Sequence, residues 1–214
     1  MGDAYEENDM DIICSDLEGV FVPEIWINVA KKTGIEELKL TTRDISDYHE
    51  LMKKRLSILH ENSIKIQDIQ HVIAGIDPLE GAVEFLDWLR SCTQVIIVSD
   101  TFVQFAKPLM EKLGRPTIFC HSLSIDADGS ISGYHLRQED GKKQTVISLK
   151  RLNYSVVAFG DSYNDISMLK EADMGLLFNP PDNVCKEFPE LKTTYSYKDL
   201  KAILSKRLLK NETS

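Results

Sequence analysis

No apolar run in these 214 residues approaches the length of a bilayer crossing, so a helical membrane span is not expected and no membrane partner is foreseen. A basic stripe is also missing. The formal net charge is -9, with 25 Lys and Arg against 34 Asp and Glu, which argues against unspecific binding to a nucleic-acid backbone. The one Lys/Arg-rich stretch (Lys201, Lys206, Arg207, Lys210) is interleaved with Ile203, Leu204, Leu208 and Leu209 and reads as the solvated face of an amphipathic helix. The four cysteines, Cys14, Cys92, Cys120 and Cys185, form no C-x-x-C pair, so reduced thiols in a cytoplasmic protein are expected. His49, His60, His71, His121 and His135 lack the H-x-x-x-H spacing of a zinc helix and read as structural. Residues 1–10 are acidic without an apolar centre, and read as a frayed tail rather than a signal peptide. Internal repeats and low-complexity segments are absent.

What is present is an ordinary globular balance, 43% apolar and 28% charged, in a chain long enough for a sizeable core. Short β-rich runs at 12–16, 94–100, 117–123, 155–161 and 174–178 alternate with helical patterns at 79–90, 102–113, 142–152, 165–172 and 197–209. The central runs are nearly all apolar, as in strands buried on both faces, so the pattern predicts an α/β fold with a doubly wound, largely parallel sheet. Asp126-Ala127-Asp128-Gly129 between two alternating segments predicts a small β-hairpin. Residues 22–77 break the alternation. Helical patterns at 24–32, 47–62 and 66–75 are too much chain for one crossover, and predict an inserted helical cap between core segments 11–21 and 78–214.

In doubly wound sheets the ligand crevice lies beyond the carboxyl ends of the strands. The first run ends in Asp16-Leu17-Glu18-Gly19-Val20, where two carboxylates spaced i, i+2 precede a glycine that permits a sharp turn. Such a pair can share a hard cation, while one member attacks an electrophile and the other moves a proton. The second run ends in Ser99-Asp100-Thr101, a hydroxyl and a carboxylate beside a predicted helix start. A later one ends in Gly160-Asp161-Ser162-Tyr163-Asn164-Asp165. Gly141-Lys142-Lys143 puts ammonium groups at a helix start, where the dipole disfavours them unless an anion is near.

This ordered set resembles the motifs of the haloacid dehalogenase-like phosphohydrolases, which implies a Rossmann-like core. Within that superfamily, Val22-Pro23-Glu24-Ile25-Trp26, Thr41-Thr42-Arg43-Asp44, Pro78-Leu79-Glu80-Gly81 and Ser99-Asp100-Thr101-Phe102 look like the phosphoserine phosphatase/homoserine phosphotransferase branch. The resemblance implies Mg²⁺ held by Asp16, the Glu18 carbonyl and Asp161. Asp16 would be the nucleophile and Glu18 the proton carrier. Ser99 and Lys142 (in preference to Lys143) would bind the phosphoryl oxygens, Asn164 the phosphate or substrate, and Asp165 would orient the metal shell or Lys142. Glu24 would receive the substrate ammonium and Arg55 its carboxylate. The implied substrates are the small molecules O-phosphoserine and homoserine; a homodimer is left open. Two departures stand out: Glu18 where Asp is usual, and Asp100 where a small neutral residue is commoner. Both are read as favouring an amino-acid acceptor, with Asp100 on the substrate side gripping an ammonium or a hydrogen-bond network.

The rival readings are weaker. A Ser hydrolase is suggested by Gly160-Asp161-Ser162 with Asp68 and His71, but that pair precedes the serine instead of following it. A non-enzymatic phosphoacceptor would need an open face, which the predicted cap covers. Arg43 and Arg137 read as surface or structural ion-pairing residues, and Trp26 as the aromatic to watch near Glu24.

Overall fold

The computed structural model describes residues 10–41, 44, 45 and 47–208. Arg43, the acidic stretch 1–9 and Leu209 lie outside the described residues. Among the described residues a seven-stranded sheet runs β4-β3-β2-β1-β5-β6-β7. The strands are β1 (Met10–Ser15), β2 (Gln94–Phe102), β3 (Thr117–Ile125), β4 (Ile131–His135), β5 (Tyr154–Gly160), β6 (Met174–Phe178) and β7 (Lys192–Thr194). All neighbours pair in parallel except β3 with β4, which form the hairpin expected around Gly129. Met10 opens β1 opposite Tyr154 instead of ending a tail.

β1 lies at the centre, so the carboxyl ends of β1, β2 and β5 share one crevice. Its alternating side chains feed two cores. Ile13 faces a cluster with Ile97 and Phe159, packed by α4 (Ala82–Cys92), α5 (Val103–Lys112) and α9 (Tyr197–Leu208). Ile12 and Cys14 face a cluster with Val98 and Val156, packed by α6 (Gly141–Arg151), α7 (Ile166–Glu171) and α8 (Asp182–Glu187). Burial on both faces is why these strands carry so few polar side chains.

Between β1 and β2 come α1 (Ile25–Thr33), a short 3₁₀ turn (Glu36–Lys39), α2 (Tyr48–Glu61) and α3 (Ile66–Ala74). Asp47 caps α2 by accepting from the Glu50 amide at 3.0 Å. Val29, Met52 and Ile69 from these helices join the same buried cluster as Phe102 and Phe105, so the inserted helices are docked on the core. The hairpin braces them. The Ile66 amide donates to the Gly129 carbonyl at 2.9 Å, and Lys65 pairs with Asp128 at 2.7 Å. No described helix is long and apolar enough to cross a membrane.

One expectation is corrected at the end of β2. The strand runs on through Phe102 instead of ending at residue 100, and α5 starts at Val103, one residue after the expected start. Pairing with β3 is irregular between Val98 and Phe102, which frees this stretch from the ladder and turns it toward the crevice.

Candidate active site

The β1 pairing extends one step past the strand, because the Asp16 amide donates to the Phe159 carbonyl at 3.1 Å. The Asp16 carboxylate is thereby fixed at the mouth of the crevice. Its Oδ1 accepts from the Leu17 amide at 2.8 Å and lies 3.0 Å from Lys142 Nζ. Lys142 comes from the first turn of α6 and is 2% exposed. Its ammonium also reaches Asp165 Oδ1 at 2.7 Å and Asp100 Oδ2 at 3.7 Å. Burial works against that charge, but Asp16, Asp165 and Asp100 outweigh it and hold the lysine protonated well above its usual range. Lys143 is outside this cluster of ion pairs.

Asp165 is fully buried and both its oxygens are engaged. Oδ2 takes the Asp161 and Ser162 amides, each at 3.0 Å, while Oδ1 takes Lys142. A side chain at Gly160 would run into this carboxylate. Gly19 is required twice, by its φ of +74° and because a Cβ there would strike the Asp161 carboxylate. Asp16, Asp161 and Asp165 offer carboxylate oxygens that all lie within 4.8 Å of one another. The donors are all hard oxygens and one ammonium serves several acids, a set that suits a divalent cation. With both Asp165 oxygens engaged, Asp16 and Asp161 are the members with more acceptor capacity to spare. Burial, then Asp165, pushes the Asp16 carboxyl well above its usual range, and the same two causes with Glu24 push Asp161 up to about 7.

These strand-end acids follow the order of a known phosphohydrolase family, and a profile of haloacid dehalogenase-like hydrolases matches residues 10–173. The chain belongs to that family. This hydrolase is 59% identical over 192 residues to phosphoserine phosphatase ThrH of Pseudomonas aeruginosa, a match covering 90% of this chain and 94% of that protein. It is similar to a crystal structure of an apo phosphoserine phosphatase, with TM-score 0.74, 26% identity and coverage of 92% and 98% of the two chains. A phospho-aspartyl intermediate analogue of phosphoserine phosphatase is also similar, with TM-score 0.72, 26% identity and the same coverage.

The remaining predicted residues of the hydrolase come from both layers. Glu18 Oε2 accepts from the Ile25 amide at the start of α1 at 2.7 Å. Burial, then the charge of Glu24, pushes its carboxyl up to about 8 despite that hydrogen bond. Glu24 itself precedes α1 and is exposed. Arg55 of α2 is 7% exposed, donates to the Leu40 carbonyl at 2.8 Å, and stacks 4.5 Å from the Trp26 ring centroid. Its Nε is buried with no partner among the described residues. Burial lowers its pKa to about 10, against the pull of Tyr48, Glu18 and Glu24. Ser99 is buried, and its Oγ accepts from the Thr101 amide at 3.2 Å.

Asp100 is drawn into a network. Asn164 Nδ2 donates to its Oδ2 at 2.8 Å, and His121 Nε2 lies 3.6 Å from its Oδ1. Burial opposes the charge, but Lys142, His121 and Asn164 hold its carboxyl well below the usual carboxylate range. Asn164 is used at both ends, since its Oδ1 accepts from Ser162 Oγ at 2.5 Å. Ser162 is therefore tied to an amide and not to a histidine, and Asp68 is occupied with the Lys65 amide at 2.8 Å, which removes the Ser-hydrolase reading. Sequence reasoning missed two neighbours. Tyr48 donates to the Asp100 carbonyl at 3.3 Å, and His121, read as structural, faces the Asp100 carboxylate. Neither belongs to a local pattern, because the fold brings both in from distant segments.

Proposed function

We propose that this hydrolase is a Mg²⁺-dependent phosphoserine phosphatase that works through an aspartyl-phosphate on Asp16 and also passes the phosphoryl group to homoserine. The observation that carries the reading is the Asp16 carboxylate held at 3.0 Å by a buried lysine, with Asp161 in the same cluster of carboxylate oxygens. Asp16, Asp161 and the Glu18 carbonyl would hold Mg²⁺, which when bound offsets the negative charge of the phosphoryl group. Ser99 and Lys142 bind its oxygens. Lys142 and the Leu17 amide occupy Asp16 Oδ1, which leaves Oδ2 to attack phosphorus. As the phosphorus–oxygen bond to serine breaks, Glu18 gives its proton to the departing seryl oxygen. In the second half Glu18 takes the proton back from water or from the homoserine hydroxyl, that oxygen attacks phosphorus, and Asp16 is released.

Residues 22–77 act as the cap over residues 11–21 and 78–214. The substrate class is supported by Arg55: a buried guanidinium nitrogen without a partner, on a ring-stacked fork, suits a carboxylate. Glu24 suits the ammonium of the same amino acid. The phosphoserine phosphatase names of the relatives add independent support. Arg55 and Glu24 together favour a phosphorylated amino acid over a small metabolite that lacks an amine and a carboxylate.

The test is incubation with Mg²⁺ and O-phospho-L-serine, with and without homoserine, following phosphate and phosphohomoserine. The proposal expects phosphate release in the first case and phosphohomoserine in the second. No turnover of phosphoserine refutes the phosphatase reading. Phosphate without phosphohomoserine at saturating homoserine refutes the transfer step alone.

A further inference from the structure

Asp100 adds a negative charge where an anionic group is expected to bind, and what surrounds it explains how that is tolerated. Its side chain is 35% exposed, yet groups from two other segments face its carboxylate oxygens. Asn164, from the turn after β5, donates to Oδ2, and His121, from β3, faces Oδ1. The imidazole is 7% exposed and its orientation is determined by the backbone behind it. Its Nδ1 accepts from the Arg137 amide at 3.1 Å, so the ring proton resides on Nε2, the nitrogen that points at Asp100. Edge-on packing by Tyr48 at 6.4 Å and tilted packing by Phe102 at 6.3 Å prevent the ring from turning away.

The result is a chain of contacts from the Arg137 amide through His121, Asp100 and Asn164 to Ser162 Oγ, linking the end of β2, the middle of β3 and the turn after β5. Asn164 has two amide hydrogens, and Asp100 takes one. The other remains for the ligand, and its direction depends on how Asp100 and Ser162 hold the amide. We propose that His121 is a positioning residue that orients Asp100 and, through it, the Asn164 amide toward the phosphoryl site. The inference rests on the phosphatase reading for its kinetic arm and on the fold alone for its spectroscopic arm. In this role His121 acts through Asp100.

Two polar variants separate this role from a structural one. In His121→Gln the side-chain amide reaches about as far as Nε2 and can face Asp100. In His121→Asn the amide occupies the place of Nδ1, so it can serve the Arg137 amide but falls short of Asp100. We expect His121→Asn to lose about tenfold in kcat/KM for phosphoserine, the scale seen when a supporting partner behind a site is removed. We also expect its Asn164 side-chain amide signals to shift in ¹⁵N spectra recorded without substrate. His121→Gln should recover both. If His121→Asn equals the native protein in both measurements, or if His121→Gln is the more impaired, the role of His121 is only to satisfy the Arg137 amide and the proposal fails. Native protein that turns over no phosphoserine would refute the function reading, while the Asn164 signals would still decide the role of His121.

Discussion

Replacing Lys142 by methionine should destabilise the metal-free protein strongly, and more so as pH rises. The ammonium lies 2.7 Å from Asp165, 3.0 Å from Asp16 and 3.7 Å from Asp100, and the residue is 2% exposed. Methionine keeps most of the volume, so the loss is electrostatic. Removing one partner of a buried ion pair costs about 3–5 kcal/mol, because the other is left without compensation. For a chain of this size each kcal/mol lowers Tm by about 2–4 °C, giving a fall of about 6–20 °C. The pH dependence follows from Asp16, whose folded-state carboxyl is pushed up by burial and by Asp165 even with the lysine present. A carboxyl raised above its unfolded value favours the folded state while protonated, and that contribution fades as pH rises through the folded pKa. Without Lys142 the folded pKa rises further, so the deficit should be larger at the alkaline end of the pH range than at the acid end. Thermal unfolding in a chelator, followed by circular dichroism across that range, measures it. A loss under about 2 °C at the upper end, or a larger loss at the lower end, would show that Lys142 does not compensate these acids.

Three further outcomes follow from the same geometry. Gly19→Ala should cost about 1–2 kcal/mol from its left-handed φ and should weaken divalent-cation dependence by displacing Asp161; an unchanged Mg²⁺ titration of activity would contradict this. Arg55→Met should reduce kcat/KM for phosphoserine by about thirtyfold, equivalent to about 2 kcal/mol for a charged hydrogen bond, and spare an aryl phosphate that has no carboxylate. An equal loss on both substrates would remove Arg55 from substrate recognition. Because Glu18 is pushed up to about 8, it carries its proton below that pH and loses it above, so kcat should fall as pH rises through that value. A flat profile across this interval would dissociate Glu18 from proton donation.

The legible parts of this molecule were those with a repeating local signal. Runs such as Met174–Phe178 read directly as strands because burial on both faces leaves no polar side chain in the way. Asp128-Gly129 marked the hairpin because the turn needs a left-handed residue, and Gly129 has φ +84°. β7 and α8, three and six residues long, are too short for any period to show. At the site, Asp16, Asp161 and Lys142 could be placed because each lies where a strand ends or a helix begins. The role of Arg55 in stacking on Trp26, the anchoring of Glu18 on α1, and the approach of His121 and Tyr48 to Asp100 depend on docking of distant segments, which no local pattern encodes. The end of β2 runs past the expected residue 100 for a related reason: its break in pairing is set against β3 and not by its own residues.

The central claim is that Asp16 carries the phosphoryl group between two partners. Acid quenching of the enzyme during turnover of labelled O-phosphoserine, followed by peptide mapping, measures this directly. The account predicts acid-stable, alkali-labile phosphate on the peptide containing Asp16, discharged faster when homoserine is present and absent in Asp16→Asn. Phosphate on another residue, or full turnover in Asp16→Asn, would contradict it.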